Sequence, residues 1–127
     1  MSISILIVDD SATMRGFIKR TLQATRIPLG EIWEASNGRE GLEQMRSNWM
    51  DIVLADLNMP DMTGVEMIDQ MNLDPMLSAL PVIVVSSEGD QAVLHTLSRK
   101  GVKEFIRKPF QPQKLQEVIE KVLVLTE

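Results

Sequence analysis

The chain has 127 residues, of which 44% are hydrophobic, and its formal net charge is −5. This length suits one compact domain with a buried core and leaves little room for a second. The acidic balance and the 4% aromatic content argue against nucleic acid binding, and the absence of cysteine excludes disulfides, thiolate catalysis and thiolate zinc sites.

Apolar runs of strand length alternate along the chain with amphipathic stretches. The runs predict strands at residues 5–8, 31–35, 52–55, 82–85 and 104–106. The amphipathic stretches predict five helices, marked by apolar residues within 14–22, 42–45, 65–71, 94–97 and 115–123. Gly101 follows the fourth helix and is predicted to end it.

Three of the runs, at residues 5–8, 52–55 and 82–85, are apolar throughout, which is typical of parallel strands covered on both faces. Alternating β and α units require right-handed crossovers and place helices on both faces of a parallel sheet. We therefore predict an α/β fold, with a single domain over residues 1–127 built on a five-stranded, doubly wound parallel sheet of strand order 2-1-3-4-5. In such a sheet the ligand site lies between the carboxyl ends of strands 1 and 3.

No apolar run approaches the roughly 20 residues of a membrane helix. The first run also lacks the preceding basic residue of a signal peptide. We therefore expect a cytoplasmic protein with no membrane partner. His95 is expected on a helix surface, and Trp33 and Trp49 are expected to pack beside strands 2 and 3.

Acidic side chains follow the two strands that border the predicted crevice. Asp9 and Asp10 come after the first strand, and Asp56 comes after the third. Converging carboxylates repel one another unless a cation offsets the repulsion. An all-oxygen ligand set favours Mg²⁺, which commonly also binds a substrate phosphate. The sequence therefore predicts a Mg²⁺ site that receives a phosphoryl group.

Phosphoryl transfer to Asp56 is the chemistry that this arrangement suits. An ionised carboxylate is a nucleophile that can form an acyl phosphate without a general base. Ser86 follows the fourth strand and Lys108 follows the fifth, so a hydroxyl and an ammonium group should reach the same edge. These two groups would position the phosphoryl group and neutralise its charge.

The same residues also have a local structural interpretation. Residues 9–11 could end a strand and cap the first helix. Asp56 could be a turn residue ahead of Pro60, which together with Gly64 keeps the following loop from becoming a helix. Their convergence on one edge of the sheet favours the functional interpretation.

These motifs resemble the receiver domain of two-component response regulators. The resemblance covers essentially the whole chain and rests on Asp9-Asp10, Asp56-Leu57-Asn58-Met59-Pro60, Ser86 and Lys108-Pro109-Phe110. Within the family the chain is most similar to stand-alone chemotaxis regulators of the CheY type, on residues 9–15, 58–60, 78–81 and Glu88. The resemblance thus implies the flavodoxin/CheY-like form of the predicted fold.

By this resemblance, Asp56 accepts a phosphoryl group from a histidine kinase of the chemotaxis type, and Lys108 contacts the phosphoryl oxygens. The Mg²⁺ ligands that it implies are Asp9, Asp10, Asp56 and the backbone carbonyl of Asn58. The peptide bond between Lys108 and Pro109 is expected to be cis. Asn58 and Glu88 match positions that tune the lifetime of the phosphoryl group, and we expect rapid self-dephosphorylation. The chain is then a phosphoacceptor that catalyses its own phosphorylation and dephosphorylation, and no enzyme in the usual sense.

The resemblance also implies a switch in which Ser86 moves towards the phosphoryl group and Phe105 follows into the vacated space. Chemotaxis relatives usually carry threonine and tyrosine at these two positions, so Phe105 lacks the hydroxyl with which a tyrosine could contact a flagellar-motor partner. The partner surface is expected around Leu94, Phe105 and Val118. We expect a monomer without an output domain, whose output partner is a protein such as the flagellar motor switch or a phosphatase.

Three alternatives remain. A phosphorelay intermediate or phosphate sink would use the same site as a motor regulator, and the sequence does not separate them. A Mg²⁺-dependent phosphohydrolase of the haloacid-dehalogenase type needs a second acid two residues after its aspartate nucleophile, where this chain has Asn58. A phosphate-independent pseudo-receiver is disfavoured because every residue that the chemistry needs is present.

Overall fold

Five strands and five helices alternate along the chain in the computed structural model, which describes residues 2–126 and the side chains of residues 2–124. The strands are β1 (Ile3–Val8), β2 (Leu29–Ala35), β3 (Ile52–Ala55), β4 (Val82–Ser86) and β5 (Glu104–Arg107). The helices are α1 (Ala12–Gln23), α2 (Gly38–Ser47), α3 (Gly64–Leu73), α4 (Gln91–Arg99) and α5 (Pro112–Thr126). Each predicted element is confirmed. Four strands extend beyond the predicted runs because pairing continues through positions that the apolar pattern does not mark, such as Ser86 opposite Arg107.

The strands form one parallel sheet of order β2-β1-β3-β4-β5, as predicted. Val8, the last residue of β1, lies opposite Ala35 of β2 and Ala55 of β3. The residues that follow, Asp9 and Asp56, therefore leave the sheet side by side at its carboxyl edge.

Alternate residues of the central strands pack on opposite faces of the sheet. Ile5 and Ile7 belong to the core cluster under α1 and α5, whereas Leu6 and Val8 belong to the cluster under α2, α3 and α4. Both faces are covered, which explains why residues 5–8, 52–55 and 82–85 are apolar throughout. Within residues 2–126, no helix is long and apolar enough to cross a membrane.

The two tryptophans behave differently. Trp33 is half-buried and packs against the core cluster under α2, α3 and α4, as expected. The expectation that Trp49 packs beside β3 is wrong, because this side chain follows the end of α2 and is 82% exposed. It lines a cavity of about 440 Å³ at the amino-terminal edge of the sheet, beside Met50 and Met76. His95 is exposed on α4, as expected.

Gly101 ends α4 as predicted, with a φ of +98°. Its N–H donates to the carbonyl of Ser98 at 3.0 Å, and the N–H of Val102 donates to the carbonyl of Leu97 at 3.1 Å. These two bonds form a Schellman motif, which satisfies the last carbonyls of the helix and needs a left-handed residue at position 101.

We expect Gly101→Ala to lower the free energy of unfolding by about 1 kcal/mol, because an L-residue is strained in the left-handed region. An added Cβ would meet nothing within 4 Å, so this cost reflects the backbone alone. Urea unfolding measures it. The control Gly16→Ala lies inside α1, where the exchange should stabilise by up to about 1 kcal/mol. If both substitutions changed the free energy of unfolding equally, the assignment of Gly101 as a left-handed helix cap would be contradicted.

Candidate functional site

Three carboxylates meet at the carboxyl edge of the sheet. Asp9, Asp10 and Asp56 each contribute one oxygen atom to a group in which all three lie within 4.8 Å of one another. Asp9 is 2% exposed, Asp56 is half-buried and Asp10 is exposed. The structure thus brings together the acids that the sequence predicted to converge, in an all-oxygen set that can hold a divalent cation.

Lys108 bridges two of these acids. Its Nζ donates to Asp9 Oδ2 at 2.8 Å and to Asp56 Oδ2 at 3.3 Å. Burial by itself lowers the pKa of Lys108, but the hydrogen bonds and charges of the two carboxylates outweigh burial and raise that pKa above its ordinary value. The ammonium group therefore stays charged and offsets part of the negative charge. The Lys108–Pro109 peptide bond is cis, as expected.

Backbone hydrogen bonds to the adjacent strands position Lys108 at the end of β5 and Asp56 at the end of β3. The N–H of Lys108 donates to the carbonyl of Ser86 at 2.9 Å, and the N–H of Asp56 donates to the carbonyl of Val8 at 2.9 Å. Asp56 Oδ1 also accepts a hydrogen bond from the N–H of Leu57 at 2.8 Å. One carboxylate oxygen is thus held by the loop and the other faces Lys108.

Gly64 has a different role from the one predicted. Residues 56–63 do form a non-helical loop, but Gly64 is the first residue of α3, behind the cap residue Thr63. Its N–H donates to the carbonyl of Leu57 at 2.9 Å. Any Cβ at this position would overlap the carbonyl oxygen of Asp56. Glycine is needed here for close approach to the site, and not to prevent a helix.

Residues 9–11 combine the two interpretations that the sequence allowed. Ser11 caps α1, because its Oγ accepts a hydrogen bond from the N–H of Met14 at 3.1 Å. The N–H of Ser11 in turn donates to Asp9 Oδ1 at 2.9 Å. The helix cap therefore also orients an acid of the site.

Ser86 and Glu88 are linked to each other. Ser86 is 2% exposed, and its Oγ accepts a hydrogen bond from the N–H of Glu88 at 3.1 Å. Glu88 Oε1 accepts one from the N–H of Asp90 at 3.3 Å. Phe105 pairs with Val84 in the sheet and packs half-buried on the core under α2, α3 and α4. The hydroxyl group is thus engaged by the β4–α4 loop in this conformation.

The predicted partner surface needs one correction. Leu94 and Phe105 are half-buried and keep part of their side chains at the surface. The inclusion of Val118 is wrong, because Val118 is 3% exposed within the core under α1 and α5. It belongs to the buried stripe of α5, whose spacing predicted the helix.

Three residues near the site were not predicted from the sequence, namely Arg15, Glu34 and Arg107. Arg15 Nη1 donates to the carbonyl of Asp9 at 2.7 Å, and Arg15 Nε donates to Glu34 Oε1 at 3.0 Å. The guanidinium of Arg107 covers Gly89, where a Cβ would lie 2.8–2.9 Å from three of its atoms. Arg15 ends the 9–15 stretch on which the resemblance rests, but its partner Glu34 lies on β2, 19 residues away along the chain.

The family assignment agrees with this geometry. A profile of the response regulator receiver domain matches residues 5–120, and the chain belongs to this family. It is 38% identical over 120 residues to the chemotaxis protein CheY1 of Helicobacter pylori, which covers 94% of this chain and 95% of that protein. It is 40% identical over 119 residues to CheY of Thermotoga maritima, with 93% and 95% covered. The structure of the chemotaxis protein CheY4 of Vibrio cholerae matches with a TM-score of 0.86 at 27% identity, covering 96% of this chain and 99% of that chain.

We expect Lys108→Met to lower the free energy of unfolding by about 2 kcal/mol in EDTA, because it leaves two largely buried carboxylates without their cation. Chemical unfolding without metal measures this change. Lys121→Met is the matched control, since Lys121 pairs with Glu104 at the surface and should contribute less than about 0.5 kcal/mol. A Lys108→Met protein as stable as wild type would contradict the importance of the bridge.

Proposed function

We propose that this chain is a response regulator whose Asp56 accepts a phosphoryl group from a histidine kinase. The observation that carries this proposal is the Lys108 Nζ between Asp9 and Asp56, at the edge where Asp10 completes a cluster of three acids. A nucleophilic carboxylate beside a fixed cation suits acceptance of an anionic group.

We propose Mg²⁺ as the cofactor. Its ligands would be Asp9, Asp10, Asp56 and the backbone carbonyl of Asn58. The donor set fits, because it contains only oxygen atoms. Within residues 2–126, neither the Asp10 carboxylate nor the Asn58 carbonyl accepts a hydrogen bond, so both are available to a ligand. When bound, Mg²⁺ would neutralise charge on the acids and on the incoming phosphoryl group.

Transfer would proceed by attack of an Asp56 carboxylate oxygen on phosphorus. The new P–O bond forms as the P–N bond of a phosphohistidine breaks, and the electron pair returns to the imidazole nitrogen. No general base is required because Asp56 is already ionised. Lys108 would contact the transferred phosphoryl oxygens, and the hydroxyl of Ser86 would donate to one of them.

The switch that we propose begins with Ser86. When its hydroxyl turns to the phosphoryl group, the N–H of Glu88 loses the acceptor that it has at 3.1 Å. The β4–α4 loop would then rearrange, and Phe105 would move further into the core. The altered surface would lie around Leu94 and Phe105. Asn58 and Glu88 would tune how long the phosphoryl group lasts.

The biological setting that we propose is chemotaxis, as a stand-alone regulator in the cytoplasm. The similarity to CheY1 of H. pylori supports it, because the alignment spans nearly the full length of both chains. Its partners would be a chemotaxis-type kinase and an output protein such as the flagellar motor switch or a phosphatase.

A phosphorelay intermediate or phosphate sink is the second candidate. Phe105, which lacks a hydroxyl for a polar contact with a motor partner, favours it. Transfer of labelled phosphate from this chain to a histidine phosphotransferase would support the relay. Phosphorylation-dependent binding of a motor switch protein would support the motor regulator.

The central test is phosphorylation by acetyl phosphate. We expect acid-labile labelling of wild type with Mg²⁺ and none in EDTA, and Asp56→Asn should abolish it because the amide is not a nucleophile. Asp61→Asn is the matched control, since Asp61 lies exposed in the same loop with a φ of 67°, which asparagine tolerates. Folded wild type that stays unlabelled would contradict the proposal and favour a phosphate-independent module.

The switch is tested with Ser86→Ala and beryllofluoride, a phosphoryl mimic. We expect this variant to bind the mimic without the NMR shift changes that wild type shows in the β4–α4 loop and at Phe105. The reason is that it has no hydroxyl group to turn from the N–H of Glu88 to the mimic. Ser86→Thr keeps the donor and should retain them. Ser87→Ala, at the exposed neighbouring serine, is the control. If beryllofluoride caused the same shift changes in Ser86→Ala as in wild type, the switch would be refuted.

A further inference from the structure

The peptide group after Asp9 is held by a side chain that the proposed chemistry does not use. Arg15 Nη1 donates to the Asp9 carbonyl at 2.7 Å, while Arg15 Nε donates to Glu34 Oε1 at 3.0 Å. The Arg15 side chain is 17% exposed and its hydrogen bond to the Asp9 carbonyl is partly buried, whereas Glu34 is 37% exposed and its hydrogen bond with Arg15 lies at the surface. Hydrogen bonds from a charged donor are among the stronger ones in proteins. Arg15 therefore ties the end of β1 to the edge strand β2.

Every polar atom of Asp9 has a hydrogen-bond partner. The N–H donates to the carbonyl of Ala35 at 3.0 Å, and Oδ1 accepts from the N–H of Ser11 at 2.9 Å. Oδ2 accepts from Lys108 at 2.8 Å, and the carbonyl accepts from Arg15. Loss of Arg15 would thus free the carbonyl and leave the other three atoms held.

That carbonyl belongs to the peptide group that joins Asp9 to Asp10. Since a peptide group is planar, a fixed carbonyl also fixes the direction in which the chain reaches the Cα of Asp10. The Asp10 side chain is exposed, and within residues 2–126 its carboxylate makes no hydrogen bond. The backbone is therefore what keeps this carboxylate beside Asp9 and Asp56.

We infer that Arg15 is a positioning residue for the cation site and that Glu34 lets it act without opposing the cation. A lone guanidinium beside three acids would compete with a divalent cation for their charge. The Glu34 carboxylate, 3.0 Å from Arg15 Nε, offsets that positive charge. The pair thus aims the Asp10 carboxylate with little net charge of its own. This inference rests on the proposed function, in which the cation is Mg²⁺.

The two possible roles of Arg15 predict opposite signs in a Mg²⁺ titration of the purified, metal-free chain by calorimetry. If Arg15 acted only through its charge, Arg15→Gln would bind Mg²⁺ more tightly. Positioning predicts weaker binding, by about tenfold, as is typical when the support of a metal ligand is lost. Arg15→Lys keeps the charge and one donor to the Asp9 carbonyl, and should recover most of the affinity.

Glu34→Gln tests the second half of the inference. It keeps an acceptor for Arg15 Nε but leaves the guanidinium uncompensated, so the Mg²⁺ affinity should fall. Arg20→Gln is the matched control for Arg15→Gln, because it removes the same positive charge at an exposed position of α1 and should leave the affinity unchanged.

A second readout separates positioning from a general loss of structure. In phosphorylation by acetyl phosphate, the Mg²⁺ concentration for half-maximal rate should rise about tenfold in Arg15→Gln. The rate at saturating Mg²⁺ should stay within about twofold of wild type, because Asp56 and Lys108 are untouched. A damaged fold would lower the saturated rate as well.

Equal or tighter Mg²⁺ binding by Arg15→Gln would overturn the inference. If that variant does not fold, as judged by circular dichroism, Glu34→Gln decides, and a wild-type affinity there overturns it. Failure of the proposed function looks different, because wild type itself would then bind no Mg²⁺ and accept no phosphoryl group. If wild type binds Mg²⁺ and accepts a phosphoryl group, and the variants bind Mg²⁺ as tightly as wild type, only the positioning role of Arg15 is contradicted.

Discussion

The Lys108 ammonium between Asp9 and Asp56 is the contact on which the arrangement of this edge depends. It joins groups that are 99 and 52 residues away along the chain, and it holds together the ends of β1, β3 and β5. Three carboxylates within 4.8 Å would otherwise repel one another and drive these ends apart. One lysine does not balance three acids, so the site keeps an excess of negative charge that a divalent cation can offset.

The central strands hold the acids of the site in place, whereas the proposed switch involves the end of β4 and the loop that follows it. The central strands are buried on both faces, which fixes where Asp9 and Asp56 leave the sheet. The residues of the proposed switch lie at the end of β4, on β5 and in the loop between β4 and α4. Ser86 is buried, and within residues 2–126 its hydroxyl is engaged only by the N–H of Glu88 in the adjoining loop. Phe105 packs half-buried on the next strand. In the proposed switch, a change at the end of β4 would reach the surface through the β4–α4 loop and Phe105.

The sequence was misleading where a side chain had two compatible environments. Val118 was assigned to the surface although it lies on the apolar stripe that buries α5. Trp49 was expected to pack, but it falls just beyond α2, where the core ends, and is left exposed. The sequence predicts that Gly64 keeps the loop from becoming a helix, whereas the structure requires glycine there because a Cβ would overlap the Asp56 carbonyl. In each case the residue type limited the possible roles, but the choice between them depended on tertiary contacts that the sequence does not show.

The sequence by itself determined the strands, the helices, the strand order and the acids that would meet, because periodicity and the crossover rule act through local and topological constraints. Only the tertiary structure decided how the site is held. The pairing of Lys108 with Asp9 and Asp56, and of Arg15 with Glu34, depends on distances between separate segments of the chain. Such contacts leave no periodic pattern, since they are fixed by strand register and packing rather than by neighbouring residues.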